Sequence, residues 1–258
     1  MRYSAYIGRT SLEERGLTGK YLTHTVATIL PVRSRTFQWI TPLLYIALQF
    51  LVYAYGFRLQ ARTGYTNSMQ GKPLVFVDVE TTGGSAYSSR ILEIGALRVE
   101  GGRVVEQINQ VLDPEEPVPG WITQLTGIEP HETNGKPRFA EIETRLTQLF
   151  TDAVFVAHNV NFDYSFFQEE FRRLGRTFQM DKLCTVRLSR ALYPGERSHR
   201  LDEVIRRHGY IVANRHRAYD DAEVLHKFYD ESLEKFGADS FYTTIQRLVQ
   251  PKQSRPVM

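Results

Sequence analysis

Hydrophobic and polar positions fall into a regular order only after residue 70. Residues 74–80 are rich in strong β-formers, and residues 90–99 and 103–112 read as two further strands separated by the Gly101-Gly102 turn. Consecutive strands joined this tightly are expected to run antiparallel. Pro114 and Pro117 then interrupt the pattern. Over residues 138–150 the apolar side chains of Phe139, Ile142, Leu146 and Phe150 recur at helical spacing. Residues 153–157 form a short apolar run of buried-strand type. Residues 161–174 predict a helix with Asn161 at its N-cap and Gly175 just past its end. Further helices are expected over residues 185–192, 201–208 and 218–236. Three antiparallel strands, followed by strands alternating with helices, imply an α/β fold whose mixed sheet is covered on both faces.

The first 70 residues differ in kind. They hold eight Lys/Arg against two Asp/Glu, a net of +6, whereas the remainder is mildly acidic at −3. Residues 36–57 carry no charged side chain. About 20 apolar residues can cross a bilayer, and Trp39, Tyr53 and Tyr55 resemble interfacial aromatics, but Thr41, Pro42 and Gln49 interrupt the run. Three readings compete: a weak membrane helix, an amphipathic accessory helix, or translated upstream sequence with no folded role. Any membrane association would come only through residues 36–57. Met69 stands just ahead of Gly71-Lys72-Pro73, where a domain could begin. The expected organisation is an N-terminal extension over 1–70, a folded domain over 71–236, and a C-terminal helix and tail over 237–258. A single cysteine, Cys184, excludes an intrachain disulfide and fits a reducing cytoplasm. Its apolar neighbours mark it as a buried small hydrophobe.

Candidate chemistry lies in three clusters. Asp78 and Glu80 end the first strand two positions apart, so both point to one face. Two acids on one face repel unless a cation lies between them, and a divalent metal answers that need. Asp163 falls in the first turn of a predicted helix, where the helix dipole favours an ionised carboxylate. His216 precedes the last long helix, whose first turn carries Asp221. A histidine beside carboxylates that hold a metal is a candidate general base, since imidazole titrates near neutrality. Ala218 and Ala222 are small enough to let that helix approach a sheet closely.

Together the clusters resemble the DnaQ-like (DEDDh) 3′–5′ exonuclease superfamily, and in particular the exonuclease domain of the polymerase III epsilon subunit. Asp78, Glu80, Thr81, Thr82 and Gly83 match the family's Asp-x-Glu-Thr-Thr-Gly. His158, Asn159, Phe162 and Asp163 match His-Asn-x-x-Phe-Asp, and His216, Ala218 and Asp221 match His-x-Ala-x-x-Asp. The resemblance covers about residues 72–235. It implies a ribonuclease H-like α/β/α sandwich and stepwise hydrolysis from the 3′ end, releasing nucleoside monophosphates. It implies two divalent cations, Mg²⁺ or Mn²⁺, held by Asp78, Glu80, Asp163 and Asp221, with His216 taking the proton from water. By the same resemblance Thr81, Thr82, Thr126, Ile128, Asn159 and Phe162 surround the terminal nucleotide. Arg172, Arg173, Arg197, Arg200 and Arg217 are candidate phosphate contacts. The expected partners are single-stranded or frayed 3′ ends, DNA ahead of RNA, and a polymerase assembly. An RNA-trimming exoribonuclease of the same superfamily and a non-catalytic nucleic-acid-binding module are the alternatives.

Overall fold

In the computed structural model the apolar run at residue 74 becomes the central strand of a five-stranded sheet ordered β3-β2-β1-β4-β5. The structure describes residues 71–251; the readings for residues 1–70, including the apolar stretch 36–57, lie outside the described residues. β1 (Leu74–Thr81), β2 (Ile91–Glu100) and β3 (Arg103–Val111) form an antiparallel meander. β4 (Val154–Ala157) and β5 (Lys182–Cys184) add on parallel to β1, making the sheet mixed. Parallel strands need a crossover, and helices supply it here.

Alternation along β1 builds the two cores. Val75, Val77 and Val79 face α2 (Phe139–Leu149) and α3 (Asn161–Arg173), where Phe139, Phe155, Phe166, Phe167 and Phe171 pack into one buried cluster. Rings in this layer meet mostly edge to face, as Phe155 and Phe167 do at 5.5 Å. Leu74 and Phe76 face the opposite layer, made by α4 (Thr185–Leu192), α5 (Leu201–His208), α6 (Ala218–Phe236) and α7 (Ala238–Leu248). The result is the expected α/β/α sandwich. Phe241 and Ile245 of α7 are fully buried in the second core, and Gln250 pairs its backbone with Lys182 of β5. Among the described residues no helix is long and apolar enough to cross a membrane.

Helices α4, α5 and α6 have the bounds their periodicity predicts. The start of α3 differs. Val160 occupies the cap position in right-handed geometry, and the carbonyl of Asn159 accepts the Phe162 N–H at 2.9 Å. Asn161 is therefore inside the first turn, its Oδ1 accepting from Lys182 Nζ at 2.9 Å rather than capping the helix. Cys184 is buried and free, as its neighbours imply. Sequence periodicity missed α1 (Gly120–Thr126), a 3₁₀ turn at Pro130–Thr133, and the three-residue β5.

Candidate active site

Asp78 and Glu80 continue the Leu74–Phe76 face of β1 and so look toward α6. Because β1 is the central strand, these acids are half-buried in the wall of a cavity rather than spread along a solvent-facing edge. Helix α6 comes close enough to meet them for a local reason. A Cβ on Gly95, in the neighbouring strand β2, would collide with the backbone of Ala218 and Tyr219. Ala218 and Ala222 are themselves fully buried.

The turn before α6 is fastened to the sheet by Glu93. That carboxylate, 1% exposed, accepts from Arg217 Nη2 at 2.7 Å, from Arg217 Nε at 3.0 Å and from the Ala218 N–H at 3.0 Å. The anchor holds His216 in left-handed backbone geometry, φ 62°. It also settles the role of Arg217, whose guanidinium is committed to Glu93. Asp220 accepts from Asn214 N–H at 2.8 Å and from its Nδ2 at 3.0 Å, closing the preceding loop and leaving Asp221 to face the cavity.

Asp78, Glu80, Asp163, Asp221 and His216 line one cavity of about 220 Å³, whose wall also carries Asn159, Phe162 and Arg215. Asp163 is buried, its Oδ1 accepting the Val79 N–H at 3.2 Å. Ligand atoms of Glu80, His216 and Asp221 lie within 4.8 Å of one another. Burial, and then the charges of Asp221 and Glu93, push Glu80 up to about 8. Burial does the same to Asp163, also about 8, against the pull of its backbone hydrogen bonds. Asp78 is raised well above the usual carboxylate range by burial, then by the charges of Asp163, Asp221 and Glu80. Asp221 is raised by burial and held back by Arg215. Arg215 pairs with Asp221 through Nη1 and with Asp202 Oδ1 through Nε at 2.8 Å. The Oδ1 of Asp221 is buried with no partner among the described residues. Converging oxygen donors, mutual repulsion and an unpartnered carboxylate oxygen fit a hard divalent cation.

The remaining expected contacts divide. Asn159, exposed with φ 61°, and Phe162 reach the cavity. Thr81, which ends β1, and Thr82, just past it, are buried: Thr81 Oγ1 donates to Gly83 O at 2.8 Å, and Thr82 bonds Glu116 and accepts the Arg90 N–H at 2.9 Å. Thr126 Oγ1 accepts the Ile128 N–H at 3.1 Å, and Ile128 is fully buried against Leu92 and Ile122. His158 bonds Thr185 Oγ1 at 2.9 Å, and burial lowers it to about 4, so it is neutral at pH 7. Arg172 and Arg173 pair with Glu169 and Glu170. Two residues of this region escaped sequence reasoning. Glu93 is the lone acid among residues 91–99 of the largely apolar β2, and Arg215 stands directly before His216; both signals were visible.

A mixed sheet between helical layers, with carboxylates converging from its central strand and from two helix starts, is a ribonuclease H-like fold with an acidic cavity. The chain belongs to the exonuclease family RNase_T, whose model matches residues 75–229. It is 34% identical over 172 residues to a PolC-type DNA polymerase III of Clostridium perfringens, covering 67% of this chain and 12% of that protein. It is 30% identical over 183 residues to the DNA polymerase III epsilon subunit of Aquifex aeolicus, covering 69% of this chain and 90% of that one. E. coli exonuclease I in complex with a dT13 oligonucleotide shares the fold, with a TM-score of 0.56 at 20% identity over 64% of this chain and 42% of that one.

Proposed function

We propose that this chain is a 3′–5′ exonuclease that removes nucleoside monophosphates from single-stranded or frayed 3′ ends, DNA in preference to RNA. The observation that carries the reading is the convergence of Asp78, Glu80, Asp163, Asp221 and His216 on one cavity in a chain of the exonuclease family. A binding module has no use for four converging carboxylates, which repel the phosphates it must hold. The DNA preference and a polymerase assembly as partner rest on relatives that are themselves polymerase III components.

Asp78, Glu80, Asp163 and Asp221 would hold Mg²⁺ or Mn²⁺, which when bound supplies the positive charge an anionic phosphodiester requires. Asp78 has the central part, because Asp163, Asp221 and Glu80 all act on its charge. An imidazole nitrogen of His216 takes the proton from the attacking water, and the Glu93–Arg217 anchor keeps that ring over the cavity. Phe162, packed on Phe166 at 5.0 Å and lining the cavity, offers an aromatic surface to the terminal base.

The test is hydrolysis of end-labelled single-stranded DNA, duplex DNA and RNA in Mg²⁺ or Mn²⁺, read for product and polarity. Asp78→Ala is expected to abolish cleavage, as is EDTA on the unaltered protein. Cleavage by Asp78→Ala at the unaltered rate, with contaminating nuclease excluded, would overturn the assignment.

A further inference from the structure

Most arginines of the described region are committed to carboxylates. Arg90 and Arg173 each meet Glu170 at 2.8 Å, Arg206 meets Glu203 at 2.8 Å, and Arg217 meets Glu93 at 2.7 Å. Arg103, Arg187, Arg190, Arg197, Arg200 and Arg247 break this pattern: all are exposed, and none has a carboxylate partner among the described residues. Four of the six, Arg187, Arg190, Arg197 and Arg200, are gathered in one place. Arg190, Arg197 and Arg200 line a cavity of about 380 Å³, and Arg187 and Arg190 line another of about 170 Å³. These two share Asn159, Val186 and Arg190, while the larger shares His158, Asn159 and Leu201 with the carboxylate cavity. The three are thus one furrow, acidic at one end and basic along the rest.

The basic wall is supported from beneath. Arg187 and Arg190 are one turn apart on α4 and so share a face. Ser189, fully buried between them, bonds His199 Nδ1 at 2.8 Å and accepts from Arg207 Nη2 at 3.0 Å. That network ties the segment bearing Arg197 and Arg200 to α4. Four unneutralised cations held along a channel repel one another, and their arrangement suits a ligand carrying negative charge at regular intervals.

We propose that this furrow is the track for the substrate strand: with the 3′-terminal nucleotide at the carboxylates, Arg187, Arg190, Arg197 and Arg200 hold the phosphates of the nucleotides that precede it. The proposal rests on the exonuclease reading for its direction, though not for its charge complementarity. It also separates the candidate phosphate contacts, since Arg172, Arg173 and Arg217 are engaged elsewhere while Arg197 and Arg200 are free to act.

The experiment uses the full chain with all four residues changed to Gln, and a companion with all four changed to Lys. Binding of a 5′-fluorescent oligothymidylate is followed by anisotropy in Ca²⁺ at several salt concentrations and strand lengths. The Gln form is expected to bind tenfold or more weakly, with the slope of log Kd against log salt reduced by about 3, the value for four phosphate contacts on a single strand. It should also gain less affinity than the unaltered protein as the strand is lengthened, while the Lys form keeps most of the slope. An unchanged affinity and salt slope in the Gln form would overturn the track, as would an equal loss in the Lys form, which would mark a structural role. Because binding is read without cleavage, the exonuclease reading fails separately: an unaltered protein that binds the strand and leaves it intact in Mg²⁺ and Mn²⁺ would sink that reading alone.

Discussion

At the scale of single residues, the cavity concentrates carboxylates whose ionisation the fold resists. Glu80 and Asp163 give up their protons near 8, against ordinary values of 4.5 and 3.8. Between those limits the metal-free folded chain binds more protons than the unfolded one, so the contribution of these groups to stability is complete at low pH and declines as pH rises toward 8. A divalent cation must displace those protons almost completely at pH 6 but from only about half of the groups at pH 8. The rise in melting temperature on adding Mn²⁺ is therefore expected to be larger at pH 8 than at pH 6, and Glu80→Gln with Asp163→Asn should narrow the difference, leaving the part due to Asp78 and Asp221. A rise independent of pH would argue against raised carboxylates. His216 combines a reactive ring with φ 62°, a conformation Asn tolerates better than Ala. His216→Asn is accordingly expected to slow cleavage by about 100-fold or more while leaving strand affinity in Ca²⁺ close to that of the unaltered protein. Loss of folding and binding together would make the residue structural.

Among elements, the contact between β2 and α6 has the least tolerance. Gly95 leaves no room for a methyl group, because what it would meet is backbone that no rotamer change can move. Gly95→Ala should cost about 1–3 kcal/mol or more by overpacking, seen as a lower denaturant midpoint. It should also depress cleavage in the fraction that remains folded, since α6 carries Asp221. An unaltered midpoint would show that α6 can ride outward freely. The same scale shows what the sequence reveals. Long amphipathic helices are legible because their period repeats several times, and β1 is legible because its alternation ends in two acids. β5 has three residues and α1 seven, too few to establish a period. The inward turn of Thr126 and Ile128 depends on Leu92 and Ile122, and the commitment of Arg217 depends on Glu93, 124 positions away. Such pairings exist only after the sheet has formed, so local pattern cannot announce them.

For the molecule as a whole, the described residues after Met69 supply two cores and all four carboxylates proposed for the cavity. We expect a chain beginning at Met69 to fold and to cleave, compared with the full chain by circular dichroism and by initial rate. An insoluble or inactive product would assign part of residues 1–68 to the catalytic body. A salt-sensitive loss of affinity alone would identify the basic N-terminal stretch as an arm for nucleic acid.

The last turn of chain beyond α7 has a different kind of importance. Gln250 both donates to and accepts from Lys182, so it occupies the hydrogen-bonding rim of β5, the last strand of the sheet. A bare rim of that kind is a template for strand addition by another molecule. A few C-terminal residues at the basic end of the furrow thus act as a selvage, and a proteolytic nick before Gln250 would fray the sheet into a surface on which one copy could stitch itself to the next.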